Sequence, residues 1–285
     1  MTTTMTIPLI DEKLMGTTGA RPGAMGFLTD TTLCIGCKAC EVACKQWNQL
    51  PMDNLGWTGH SYDNTTDLGA TTWRHVTFIE QPSLGDGIGP GKMPPFQSNW
   101  LMMSDICKHC VKAGCLEACP TGAIIRTSFD TVVIQQDICN GCGYCVPSCP
   151  FGVPELSATD HKAHKCTMCY DRMSDELEPA CAKSCPTDSI QFGPIDELME
   201  RAQQRVDDLQ ARGVTSAYIY GDKAMGGTHG IEGLNAFFIL TAEPEVYNLP
   251  AYPELPQDKV GRAFLATLGA ALALGAVAVG ALRGR

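Results

Sequence analysis

The longest periodic stretch is "PIDELMERAQQRVDDLQARG" at 194–213. It returns Ile195, Leu198, Met199, Ala202, Val206 and Leu209 to one helical face, with Gly213 as a stop signal. An amphipathic helix packed on a core is expected. Shorter apolar runs read as strands: "HVTFIE" at 75–80, "TVVIQ" at 131–135, "AYIY" at 217–220 and "NAFFILT" at 235–241. A third pattern closes the chain. From Ala263 to Leu282, "AFLATLGAALALGAVAVGAL" has no charge, with Arg262 and Arg283 at its ends. At ~1.5 Å per residue twenty residues span roughly 30 Å, a hydrocarbon core, so a membrane helix is expected over a buried core helix. Ala266 and Ala270, or Ala276 and Gly280, are spaced for close approach of another helix, so packing against a membrane subunit is expected. Basic residues at both ends leave its orientation open.

Composition and charge narrow the classes. A chain of 285 residues forms one large domain or two modest ones, and a formal charge of -10 argues against nucleic acid as a partner. The first 30 residues contain no basic n-region followed by an apolar h-region, so no cleavable export signal is expected. "MTTTMTIPLIDEKLMGTTGARPGAM" reads as a polar arm, draped over a partner or disordered. Residues 46–100, rich in Gly, Pro, Asn and Asp, read as a long insertion that covers other parts of the chain or meets a partner.

The 16 cysteines carry the chemistry, and they fall into four groups of four. "CIGCKACEVAC" supplies Cys34, Cys37, Cys40 and Cys44, and "CKHCVKAGCLEAC" supplies Cys107, Cys110, Cys115 and Cys119. "CNGCGYCVPSC" supplies Cys139, Cys142, Cys145 and Cys149, and a longer loop separates Cys166 and Cys169 from Cys181 and Cys185. This is a fourfold internal repeat. Zinc ribbons use two CxxC knuckles a dozen or more residues apart, whereas C-x2-C-x2-C places three thiolates on one tight loop, which suits three corners of a cubane. Disulfides would ignore so regular a spacing, and adjacent CxxC pairs are strained as bridges. The first and third groups match the bacterial ferredoxin spacing, in which the fourth cysteine ligates the other cluster of a pair. Sixteen thiolates then make four [4Fe-4S] clusters.

The second and third groups are close in sequence and form one two-cluster module, so the first must pair with the last. The expected ligand sets are Cys34/Cys37/Cys40/Cys185, Cys44/Cys166/Cys169/Cys181, Cys107/Cys110/Cys115/Cys149 and Cys119/Cys139/Cys142/Cys145. The expected fold class is α+β: two ferredoxin-like two-cluster modules, one inserted in the other, plus a single C-terminal transmembrane helix. Along the chain this reads as an arm at 1–27 and the first group with its insertion at 28–100. A ferredoxin-like module at 101–156 and the fourth group at 157–193 follow. An α/β extension at 194–258 leads to the membrane helix at 259–285.

Pro120, Pro150 and Pro186 follow the last cysteine of three groups and turn the chain away from the cluster; Lys45 takes that place after Cys44, which makes the first group irregular. Gly36, Gly141 and Gly143 lie in tight loops where backbone amides approach sulfur. Lys38, Lys108, Lys112, Lys165 and Lys183 lie in or beside the groups, either opposing anionic clusters or simply solvated. His109 and His229 read as structural residues. No nucleophile elbow, Walker loop or GxGxxG fingerprint occurs. Four clusters without a substrate site describe an electron wire; a zinc-binding interaction scaffold is the alternative from another class.

The segments "TLCIGCKACEVACKQWN", "YDNTTDLGATTWRHVTF", "EPACAKSCPTDSIQFG" and "MGGTHG", with the terminal span, resemble the iron–sulfur (beta) subunit of membrane-bound formate dehydrogenases over most of 28–282. The cysteine pattern alone marks the wider family of four-cluster subunits that accompany molybdenum or tungsten oxidoreductases. The resemblance implies no catalytic site in this chain and two kinds of partner. A catalytic subunit with a molybdenum or tungsten pterin oxidises formate to carbon dioxide, and a membrane cytochrome b or related subunit passes the electrons to quinone. It also implies export alongside a folded partner that bears a twin-arginine signal, and so a cluster domain on the outer, periplasmic face. All sixteen ligand positions are cysteine, so no three-iron cluster is expected. The same wire in a hydrogenase, thiosulfate or polysulfide enzyme is the nearer alternative.

Overall fold

The computed structural model describes residues 23–53, 56–60, 62–83, 97–222 and 231–283. The arm up to residue 22 and "MGGTHG" with His229 lie outside the described residues.

The chain opens with strand β1 (Met25–Asp30) and helix α1 (Ala39–Asn48). A long antiparallel hairpin follows, β2 (Arg74–Ser83) with β3 (Gln97–Ile106), in register from Arg74 opposite Ile106 to Ser83 opposite Gln97. Next come α2 (Gly114–Glu117), the small hairpin β4 (Ile124–Arg126) and β5 (Val132–Ile134), and the two-residue strands β6 (Glu155–Leu156) and β7 (Ala163–His164). Short helices α3 (Tyr170–Ser174) and α4 (Ala180–Lys183) lead to β8 (Ile190–Pro194), α5 (Ile195–Ala211), β9 (Tyr218–Tyr220), β10 (Ala236–Leu240) and α6 (Pro256–Arg283).

The ends of the cysteine-bearing region meet in one sheet of order β8-β1-β10-β9, in which β1 runs parallel to β10 and antiparallel to β8. Helix α5 buries Ile195, Leu198, Ala202, Val206 and Leu209 in the core it shares with this sheet, and only Met199 of the expected face stays half-buried. The helix stops before Gly213, whose φ of +95° suits glycine. The segment 194–258 is therefore continuous with β1, because its strand β10 is β1's neighbour. A second difference lies at 100/101, the expected segment boundary, which falls inside β3. The polar composition of the preceding loop hid a hairpin whose partner strand begins at Arg74.

Helix α6 spans the expected terminal segment and starts earlier, at Pro256. Residues Pro256–Gly280 are long and apolar enough to cross a membrane, and none of that stretch is buried. The helix fits a membrane anchor. Its first turn is tied to the body by Lys112 Nζ to Asp258 at 2.9 Å and Gln257 Nε2 to Glu117 at 2.8 Å.

Candidate iron–sulfur sites

Each cysteine group starts on a tight loop and ends on or just after a helical turn. Cys40 and Cys44 are one helical turn apart on α1, while Cys181 lies on α4 and Cys185 just beyond it. Helices α1 and α4 pack together. Each thus delivers one thiol to one site and a second thiol to the next. Cys115 on α2 and Cys119 after it do the same opposite Cys145 and Cys149.

The sixteen free thiols gather accordingly into four quartets. Cys34, Cys37, Cys40 and Cys185 line one small cavity, the first quartet. Cys44 and Cys166 are each within electrostatic reach of Cys169 and Cys181, and of one another, forming the second. Cys110 faces Cys149, Cys107 and Cys115, the third. Cys119, Cys139, Cys142 and Cys145 line another small cavity, the fourth. Successive quartets lie within electrostatic reach of one another, Cys40 with Cys181, Cys166 with Cys107, and Cys115 with Cys145, which orders them one to four. Every thiol of the second quartet is buried, whereas Cys37 in the first and Cys142 in the fourth are exposed.

Burial sets the protonation of the inner thiols. It pushes Cys40, Cys145 and Cys169 up to about 11 and Cys115 to about 12, and neighbouring thiols add to the effect. Cys44 rises further, through burial and then Cys181 and Cys169. As iron ligands these sulfurs would give up their protons, and the positive metal would offset the thiolate charge that burial disfavours.

The donor set fits an iron–sulfur cubane. Four soft sulfurs line each of the two small cavities, and backbone amides turn toward thiols of the groups: Met168 N–H donates to Cys166 Sγ at 3.2 Å, and the Gly36 amide lowers the Cys34 thiol against its burial. Left-handed residues make these loops possible. Gly141 has φ +73°, and a Cβ there would lie 2.2 Å from the His161 carbonyl oxygen. Gly141→Ala is expected to cost about 1–3 kcal/mol through forced left-handed backbone alone. It should also loosen the loop that carries Cys139 and Cys142. The check is thermal unfolding with iron release from the purified complex, and an unchanged melting temperature and iron content would show that the loop absorbs the methyl group.

The irregular first group has a structural reason. Lys45 stands where the other groups have proline, so α1 continues to Asn48, and this added turn brings Asn48 Nδ2 to 3.6 Å from Cys44 Sγ. Lys45 itself pairs with Asp53 at 2.7 Å and donates to the Thr71 carbonyl at 2.8 Å, pinning the start of the insertion. The hairpin β2–β3 then covers the first two quartets. Phe78 and Met102 crowd Gly36 so closely that a Cβ would sit 2.6 Å and 2.7 Å from their atoms, and Ser104 Oγ lies 3.2 Å from Cys40 Sγ.

The five lysines separate. Lys165 is 3% exposed and donates to the Val132 and Cys166 carbonyls; burial opposes its charge, but Cys107, Cys115 and Cys166 outweigh that and raise its pKa. Lys108 is also buried, and Asp105 takes its charge at 2.5 Å. Lys38 pairs with Glu41 and Asp63, Lys112 with Asp258, and Lys183 is exposed. His109 is a structural residue on one side, its Nδ1 accepting Val132 N–H at 3.0 Å, while its buried Nε2 has no partner among the described residues. Sequence reasoning missed Arg74, whose Nη2 donates to Cys181 Sγ at 3.3 Å. An arginine inside a strand pattern carries no signal of such a contact.

Residues 98–195 match the family model of the 4Fe-4S dicluster domain. The chain is 42% identical over 230 residues to the iron–sulfur subunit of nitrate-inducible formate dehydrogenase from Escherichia coli K12, covering 80% of this chain and 73% of that one. The formate dehydrogenase iron–sulfur subunit of Haemophilus influenzae is 41% identical, with 80% and 69% covered. The B subunit of the anaerobic dimethyl sulfoxide reductase of E. coli is more distant, 32% identical over 176 residues, with 62% and 76% covered. The chain belongs to the family of formate dehydrogenase iron–sulfur subunits, which serve electron transfer and are not the catalytic subunits.

Proposed function

We propose that this chain passes electrons one at a time through four [4Fe-4S] clusters, from a formate-oxidising subunit with a molybdenum or tungsten pterin to a membrane quinone-reducing subunit. The four quartets are the ligand sets, arranged as two ferredoxin-like modules, one inserted in the other. What supports this reading most is that each thiol group lies within electrostatic reach of the next, and that only Cys37 in the first group and Cys142 in the last are exposed. The buried second quartet excludes water from the interior of the path.

The polarity of the series follows from α6. Its first turn is tied to Lys112 and Glu117, the one just before α2 and the other on it, and α2 bears Cys115 of the third quartet and precedes Cys119 of the fourth. Leu255 also reaches Gly114. The anchor's first turn thus lies beside the third quartet and next to the fourth in sequence, and the fourth, which holds the exposed Cys142 at that end of the series, serves as the delivering end. The first quartet, with exposed Ile35 and Val42 around Cys37, receives electrons from the catalytic subunit.

Low-temperature EPR of membranes containing the complex, before and after formate, tests this reading. Formate alone is expected to produce the signals of reduced [4Fe-4S] clusters, which vanish when this chain is deleted. Signals with dithionite but none with formate would assign the wire to another oxidoreductase. A colourless, EPR-silent protein would point to zinc.

A further inference from the structure

Arg74 is 1% exposed, yet among the described residues no carboxylate lies within ion-pair distance of it. Its Nη2 donates to Cys181 Sγ at 3.3 Å, and its Nη1 to the Ser104 carbonyl at 3.1 Å. The guanidinium carbon stands 5.0 Å from the centre of the Phe27 ring, and Nε is buried without a partner among the described residues. A buried cation without a counter-ion is costly, and a folded protein keeps one only where negative charge compensates it. The compensation lies among the sulfurs. The charge of Arg74 reaches Cys34 and Cys40 of the first quartet as well as Cys44, Cys166 and Cys181 of the second. Ser104, which takes Nη1 on its carbonyl, presents its hydroxyl to Cys40 Sγ on the other side. The planar fork of arginine, always charged, is suited to serving two neighbours at once.

We propose that Arg74 is an electrostatic tuning residue shared by the first two quartets, whose fixed charge favours the reduced state of both clusters together. This rests on the four-cluster relay argued above. Reduction adds one negative charge to a cluster, and in a poorly screened interior a nearby cation stabilises that added charge. Because one side chain faces both quartets, removing it must move two potentials, not one. Lys165 is different in kind, since it faces the second and third quartets.

The test is an EPR-monitored redox titration of the intact complex carrying Arg74→Gln or Arg74→Lys, with iron content measured alongside. In Arg74→Gln the ratio of reduced to oxidised cluster at fixed potential is expected to fall about tenfold at both the first and second quartets, equivalent to about 59 mV for a one-electron couple. The third and fourth should stay in place, and Arg74→Lys should restore most of the shift. Full iron content with unmoved potentials, or a shift at one quartet only, overturns the proposal. If Arg74→Gln loses the clusters of both quartets while Arg74→Lys retains them, the shared charge is required and the proposal stands. If Arg74→Lys loses them too, the role is packing and the proposal falls. The unmodified complex in the same titration tests the relay itself: fewer than four [4Fe-4S] signals there would overturn that reading rather than the role of Arg74.

Discussion

Cys44→Ser is expected to abolish the EPR signal of the quartet that contains Cys166, Cys169 and Cys181, although Cys44 is adjacent in sequence to the ligands of another. Cys40 and Cys44 stand one turn apart on α1, but Cys40 lines a cavity with Cys34, Cys37 and Cys185, while Cys44 lies within electrostatic reach of Cys181 and Cys169. A serine hydroxyl lacks the soft, readily deprotonated sulfur that cluster ligation uses. Outer-shell changes at metal sites already cost about 10–100-fold in affinity or activity, so losing a direct ligand should slow formate-dependent quinone reduction by at least about 100-fold. On the proposed relay the second quartet has neighbours on both sides, so its loss interrupts the path. Two companion variants identify the lost signal: Cys166→Ser must remove the same one, and Cys37→Ser a different one. Should Cys44→Ser instead reproduce the Cys37→Ser spectrum, α1 does not bridge two sites and the ligand sets must be redrawn.

What could be read from the sequence was what is local. The thiol spacing reports itself within a dozen residues, and α5 is legible because one apolar face recurs every turn from Ile195 to Leu209. Strand β1 was not legible. "MGFLTD" is short and follows a polar arm, and it is buried only because Ile190–Pro194 and Ala236–Leu240 arrive on either side from far along the chain. The hairpin β2–β3 was half legible: Phe78 and Ile79 mark one strand, but Asn99, Ser104 and Asp105 blur the alternation of the other. Lys45 looked like a defect in the repeat until the longer α1 placed Asn48 beside Cys44. Arg74 could not be found by pattern at all. Its partners Ser104 and Cys181 come from separate elements, and only the packed chain brings a cation between two sets of thiols.

Ending the chain after Arg262 is expected to leave the cluster signals intact and to abolish formate-dependent quinone reduction. Residues 263–282 are helical, and none of the apolar stretch is buried against the body of the protein. Its removal therefore exposes no core and leaves no cavity. The truncated chain keeps Asp258 and Gln257, so the contacts to Lys112 and Glu117 beside the third and fourth quartets survive. Those two contacts lie within the chain and give it no hold on the membrane. Burying the span provides that hold: Phe264, Leu265, Leu268, Leu272, Leu274, Val277 and Val279 are all exposed, and each fully buried side chain of this kind is worth roughly 1.5–3 kcal/mol. Fractionation of cells, with iron assays on both fractions, should find the truncated subunit and its clusters released from membranes. Formate should still reduce those clusters when the catalytic subunit remains bound, because the receiving end at Cys37 lies at the opposite end of the series. If the truncated protein stays in the membrane fraction with quinone reduction intact, the delivering end is held by the body of the chain, and α6 is not its anchor.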